Sequence, residues 1–183
     1  CAEFCGDSHA YMLFRVEVLE PADFAKWVQK QKADAAPVAA GSKAEKGKAL
    51  FAAKSCVMCH NVGGHFGAGA FGPDLTHIAS RKSLAGAWLD NRDAAKQRAA
   101  EQKNGNTEDS APVDDATLKA NLIKWIGSSG VAHGADGKPS KDVKPGNRMH
   151  YYKMFNVAGL RETNQQFTAE ELDCLAEYLL TLK

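Results

Sequence analysis

Cys56-Val57-Met58-Cys59-His60 sets two thiols three positions apart and an imidazole directly after the second. On one helical turn both thiols face the same way. Each can then close a thioether with one of the two vinyl groups of a haem, the attachment signature of a c-type haem. The histidine that follows becomes the proximal iron ligand. Paired cysteines serve two other chemistries, half of a zinc site and a thioredoxin-like redox pair. Zinc needs a second ligand pair, and none lies at zinc spacing here. A redox pair needs a βαβ setting.

The flanks of this motif read as helices. Ala44–Ser55 carries Gly47, Leu50 and Phe51 into it. Near the end of the chain, Thr168 and Glu171 form a capping-box pattern. It opens a helix whose apolar stripe is Leu172, Leu175, Ala176, Leu179 and Leu180. Cys174 lies among these apolar neighbours and reads as a buried, inert thiol. Thr117–Gly127 is a third amphipathic helix, burying Leu118, Leu122, Trp125 and Ile126. Between them run a glycine-rich loop (63–72), the segment Gly72-Pro73-Asp74-Leu75-Thr76-His77, and a polar insertion over 92–115. The insertion reads as a solvated helix and loop.

This layout resembles class I cytochrome c. The resemblance implies that the first and last helices cross at Gly47, with Phe51 and Tyr178 packed there. It implies that the carbonyl of Pro73 accepts a hydrogen bond from the haem histidine, fixing the ring and raising its donor strength. Leu75 would line the haem pocket. Arg81 and Trp88 are candidates to meet the haem propionates; a surface arginine and a core tryptophan are the ordinary alternatives. The segment Lys144-Pro145-Gly146-Asn147-Arg148-Met149 is similar to the one that supplies the axial methionine in such proteins, which assigns Met149 as sixth ligand. His150 stands where the family usually has proline, and it is the alternative ligand. Met154 lacks a Pro-Gly turn to present it. His65, His77 and His133 have no partner pattern and read as surface or packing residues.

The first twelve residues hold a second constellation, Cys1-x3-Cys5-x3-His9-x2-Met12. Two thiolates, an imidazole and a thioether are a soft donor set, suited to copper rather than calcium or magnesium. Cys1 and Cys5 paired as a disulfide, or left as free thiols, are the alternatives. The loop resembles the binuclear copper (CuA) loop in subunit II of haem-copper cytochrome c oxidases. By that resemblance Cys1 and Cys5 bridge the two coppers, His9 and Met12 ligate one each, and the carbonyl of Glu3 is a further ligand. The family's other histidine comes from an earlier loop that is absent from this sequence, so the CuA site is expected to be incomplete within this chain alone.

Leu13–Glu20 alternates as a strand, the expected last strand of a cupredoxin barrel. Pro21 ends it. Asp23–Gln31 then suits a short helix with Phe24, Trp27 and Val28 on one face. Residues 33–42 are small, with Pro37 and Gly41, and read as a linker. The expected fold is therefore mainly α: a class I cytochrome c fold over 43–183, preceded by the last loop and strand of a truncated β cupredoxin (CuA) domain over 1–32.

The 183 residues carry a net charge of +1, which implies no nucleic-acid partner. No apolar run reaches membrane-spanning length. The chain opens inside a motif on Cys1, so an upstream segment bearing the membrane anchor is expected. Haem attachment and exposed soft ligands suit a compartment outside the cytoplasm. The resemblance to the oxidase subunit implies the outer, periplasmic or extracytoplasmic, face of the bacterial plasma membrane. No paired carboxylates or nucleophile–base motif points to bond-making chemistry in this chain itself. The resemblance to subunit II with a fused cytochrome implies electron transfer. Electrons arrive from an upstream quinol-oxidising complex or a soluble cytochrome c, and pass through haem c and CuA to subunit I of the oxidase. The linker would be a tether that raises effective concentration. The alternatives are an independent soluble electron carrier and a haem peroxidase or ligand sensor.

Overall fold

The structure, a computed structural model, describes residues 1–6, 8–67, 69–93, 112–128, 149 and 167–183. These residues form helices α1 (Pro21–Gln31), α2 (Lys43–Ala53), α3 (Asp115–Ser128) and α4 (Ala169–Leu180). Strands β1 (Ser83–Leu84) and β2 (Leu89–Asp90) pair antiparallel, with Ser83 opposite Asp90 and Leu84 opposite Leu89.

Local chemistry starts each main helix. At α2 the Ser42 hydroxyl accepts from the Glu45 amide at 3.1 Å, and the Glu45 carboxylate accepts from the Gly41 amide at 2.8 Å. At α4 Thr168 and Glu171 form a complete capping box, with bonds of 3.1 and 2.9 Å. Helix α3 begins two residues before the expected Thr117. There the Asp114 carboxylate accepts from both the amide and the hydroxyl of Thr117, at 2.8 and 2.7 Å.

The core lies where α2 crosses α4. A Cβ on Gly47 would collide with the carbonyl of Cys174 and lie 2.8 Å from Cβ of Tyr178. Glycine is therefore what permits this approach. Phe51 meets Tyr178 edge-on at 5.6 Å and stacks on Phe66 at 5.7 Å. On α3, Leu118, Leu122 and Ile126 repeat every fourth residue, and all three are buried. Burial of each side chain of this size contributes about 2 kcal/mol. Lys43–Asp173 and Lys54–Glu171 close the rim of the crossing at 2.6 and 2.7 Å.

The hairpin is tied to α3 through Asn91, which is fully buried. Its side chain donates to the carbonyl of Arg81 at 2.8 Å and accepts from the Asn121 amide group at 2.9 Å. Its backbone carbonyl accepts from Asp114 at 2.8 Å.

Two regions differ from the sequence reading. Leu13–Glu20 forms no strand: it runs outside any ladder among the described residues, with Phe14, Val16 and Val18 75–92% exposed. Alternation records a two-faced extended segment, but a strand also needs a neighbour to bond, and no described segment supplies one. The last cupredoxin strand expected there is therefore not formed among the described residues. Phe24 and Trp27 on α1 stack on one another at 5.8 Å, about half exposed.

Residues 33–36, read as the start of a linker, lie along the helical domain. The Ala35 amide donates to the carbonyl of Gly63 at 3.0 Å. His77 donates to the carbonyl of Ala33 and His65 to that of Ala36, each at 3.0 Å through Nε2. Ala35 is buried and Val38 packs on the core. Residues 94–111, 144–148 and 150–154, with His133, lie outside the described residues.

Candidate metal centres

After α2, Ser55 takes left-handed backbone angles (φ 60°, ψ 20°) and turns the chain into a 3-10 turn, Cys56–Met58. The carbonyl of Cys56 accepts from the amides of both Cys59 and His60, at 3.1 and 2.9 Å. The turn leaves Cys56 and Cys59 as half-buried free thiols, while Met58 points out, 55% exposed. Burial pushes the Cys56 thiol up to about 11.

His60 is held from two sides. Its Nδ1 stands 2.8 Å from the carbonyl of Pro73. A carbonyl can only accept, so Nδ1 carries the proton and Nε2 keeps its lone pair for a metal. On the other side the glycine loop closes against the residue. A Cβ on Gly72 would lie 2.5 Å from Cε1 of the ring, and a Cβ on Gly69 would lie 2.5 Å from the His60 backbone. The Gly72 amide also donates to the carbonyl of Cys59 at 2.7 Å. The sequence points to Gly72 only as the start of the Gly72–His77 segment, and to Gly69 only through the glycine density of 63–72.

The strand-like run 72–76 is zipped to 59–63. The Leu75 amide donates to Asn61 at 2.9 Å and the Gly63 amide to the Thr76 hydroxyl at 2.8 Å. Asp74 accepts from the Asn61 side chain and the Thr76 amide. These bonds, with a contribution from Arg81, hold its carboxyl below the ordinary range against the opposing effect of burial. Arg81 donates to the carbonyl of Asp74 at 2.8 Å. Leu75 is buried, and Met149 is half-buried against the same core. Trp88 is 49% exposed and meets Tyr11 edge-on at 4.8 Å.

His65 and His77 have partners that sequence spacing did not reveal, since each bonds a segment 29 or 44 residues away. His65 also accepts from the Tyr178 hydroxyl at 3.0 Å. Burial, then the nearby Lys48, depresses its pKa. Burial raises that of Tyr178.

At the other end of the chain, residues 1–12 fold on themselves. The Gly6 backbone turns at φ 118°, and the amides of His9 and Tyr11 donate to Gly6 and Ser8 at 2.9 and 3.0 Å. Cys1, Cys5 and His9 thereby place their donor atoms within 4.8 Å of one another. Sγ of Cys5 lies 3.5 Å from Nδ1 of His9 and 3.7 Å from the Met12 sulfur. Sγ of Cys1 lies 3.0 Å from the carbonyl of Glu3. Three of the donors named from the sequence, Cys1, Cys5 and His9, come together, with Met12 beside Cys5 and the Glu3 carbonyl beside Cys1; Cys1 and Cys5 remain free thiols. The set is soft and exposed, which fits copper.

Residues 44–120 match the family model for cytochrome c. This chain contains a cytochrome c domain. The match spans Cys56, Cys59, His60, Pro73, Leu75, Arg81 and Trp88, and it ends before Met149. The whole chain is homologous to cytochrome c oxidase subunit 2 of Bacillus sp. (strain PS3), 31% identical over 184 residues covering 100% of this chain and 38% of the relative. It is 38% identical over 93 residues to cytochrome c oxidase subunit 2 of Alkalihalophilus pseudofirmus, covering 51% of this chain and 26% of the relative. To that of Bacillus subtilis it is 32% identical over 109 residues, covering 52% and 30%. The chain thus spans less than two fifths of the length of these relatives. A cytochrome c domain implies haem c, and the chemistry at Cys56–His60 fits it: two free thiols one turn apart beside an imidazole with only Nε2 unprotonated.

Proposed function

We propose that this chain is the metal-bearing portion of subunit II of a respiratory terminal oxidase. Its cytochrome c domain takes electrons from an upstream quinol-oxidising complex or a soluble cytochrome c. It passes them to CuA and on to subunit I, where oxygen is reduced and protons are pumped. The chain is an electron-transfer module without a catalytic site of its own. A segment upstream of it anchors the protein at the outer face of the plasma membrane. Among the described residues no helix is long and apolar enough to cross a membrane.

Haem c and the copper pair supply reversible one-electron chemistry when bound. The residues of the chain hold and tune them. Cys56 and Cys59 carry the thioether links. His60 presents Nε2, and the hydrogen bond to Pro73 keeps the ring from turning and raises its basicity. Met149 would hold the haem iron through its thioether, a donor that favours a higher potential than a second imidazole. Leu75 keeps water from one side of the site, and Arg81 and Trp88 serve the propionate edge. Cys1, Cys5, His9, Met12 and the Glu3 carbonyl hold copper.

The observation that supports this reading is the approach of the soft donors Cys1, Cys5 and His9, with Met12 beside Cys5, in the same chain as a locked histidine after two thiols. Metal analysis of the intact complex tests it. One haem c and two coppers per copy of this subunit are expected, once the metals of subunit I are subtracted. The oxidised visible spectrum should show a methionine–iron charge-transfer band that survives low cyanide. Haem without copper would leave a simple electron carrier. A missing band with cyanide binding would point to an open sixth position and a ligand-binding haem.

A further inference from the structure

Residues 11–17 run beside the β1–β2 hairpin in a defined register. Near the hairpin's turn, Tyr11 meets Trp88 edge-on at 4.8 Å. At its open end, Arg15 pairs with Asp90 at 3.0 Å and Glu17 with Lys82 at 2.7 Å. Arg15 and Glu17 are both odd-numbered, so an extended backbone presents them on one face, while Tyr11 closes the 3-10 turn His9–Tyr11 just before it. The even-numbered Phe14, Val16 and Val18 face solvent. The period-two pattern of the sequence thus survives as two working faces, although no ladder forms.

The hairpin is built to present this surface. Its turn holds Ala85, Gly86 and Ala87 at φ 56°, 68° and 61°. Two departures of alanine into left-handed backbone, one on each side of Gly86, are unfavourable and persist only where the surroundings impose them. They place Trp88 at the surface, half exposed even with Tyr11 against it. Asp90 is fixed from behind by Arg92, whose guanidinium is almost fully buried and takes both carboxylate oxygens. The carboxylate is therefore already oriented when Arg15 reaches it.

The same segment is pinned again at its far end. Residues 33–36 bond to Gly63, His65 and His77, within the loops that surround His60. Helix α1 lies between the two anchorages. A chain fixed at both ends has far less freedom than one fixed at a single end.

We propose that the hairpin Ser83–Asp90 is the docking surface for the donor loop of this same chain, with Trp88 as its anchor and Lys82 and Asp90 as its charged rim. The donor cluster of residues 1–12 is then held at a set position on the cytochrome c domain and does not swing on a tether. The consequence for electron flow rests on the function proposed above; the docking itself does not.

Hydroxyl-radical footprinting of the full-length subunit in its complex reads the surface directly through the Tyr11 and Trp88 side chains. In the wild type both are protected relative to an exposed tyrosine or tryptophan. Trp88→Ala removes the anchor and raises Tyr11 labelling by about fivefold. Lys82→Glu sets a like charge against Glu17 and raises labelling of both rings by about threefold; the exchanged pair Glu17→Lys with Lys82→Glu restores protection. The exchange keeps the test decisive should Trp88→Ala disturb folding. Full labelling of Tyr11 in the wild type, or no response to Lys82→Glu, overturns the proposal. Footprinting requires neither metal to transfer an electron, so failed metal analysis and failed docking are separate results.

Discussion

The two donor sets are assembled by opposite means. At residues 1–12 the donors come from one short loop, and turns within twelve residues bring them together. None of Cys1, Glu3, Cys5 or Met12 is buried. At Cys56–His60 the thiols are local, but the orientation of His60 depends on Pro73, Gly72 and Gly69 from a separate loop. That loop is in turn held to the helical core through Leu75, Ile78 and the bond from Ala79 to Leu182 at 2.8 Å. The first site is a property of spacing, whereas the second is a property of the fold.

Breaking the fold should therefore separate them. Gly47→Val drives a branched side chain into the backbone of α4 and should destabilise the cytochrome c domain by about 3 kcal/mol or more. Thermal unfolding of the purified subunit would register this, and the haem spectrum should lose its native methionine band. Copper binding per folded chain should be affected far less. Equal loss at both sites would mean that the donor loop depends on the core more than its local turns imply.

Acid sharpens the comparison at the boundary between the regions. Hydrogen bonding from Arg92, with Arg92 and Arg15 as positive neighbours, holds Asp90 at about 2 against the ordinary 3.8. Between those values the unfolded chain takes up a proton that the folded chain refuses. Asp90 thus contributes stability that is full above about pH 3.8 and disappears as pH falls through about 2. The side chain is one-third exposed, so on the order of 1 kcal/mol is expected. Denaturant titrations from pH 5 to pH 2 should show a slope that Asp90→Asn reduces, the remainder belonging to Asp74 and the other lowered carboxyls. An unchanged slope in that variant would place the acid sensitivity elsewhere.

The smallest stability effect belongs to the donor loop. Cys5→Ser alters an exposed thiol and should change unfolding by less than about 0.5 kcal/mol, while copper stoichiometry collapses. A large drop in stability would show that residues 1–12 support the domain as well as carry donors.

The same contrast governs what could be read from the sequence. Helices α2, α3 and α4 were legible because their caps and apolar repeats are local, as with Thr168–Glu171 and Leu118–Leu122–Ile126. The closeness of Cys1, Cys5 and His9 was legible for the same reason. Long-range partners left no trace: nothing near His65 or His77 in sequence signals that each will bond residues 33–36. The hairpin was missed because Ala85 and Ala87 occupy backbone angles that normally announce themselves through glycine or asparagine. Only Gly86 hinted at a turn. Leu13–Glu20 was read as a strand because alternation reports two faces and is silent on whether a neighbour exists.

Phe14, Val16 and Val18 have a further implication. An extended run with three large apolar side chains in water, outside any ladder among the described residues, is the shape that recruits another β-edge. If no covering surface reaches it, a second copy of the same run is the nearest available match. Concentrated samples should cloud or self-associate through this stretch, and a lysine at position 16 would act as a gatekeeper against it.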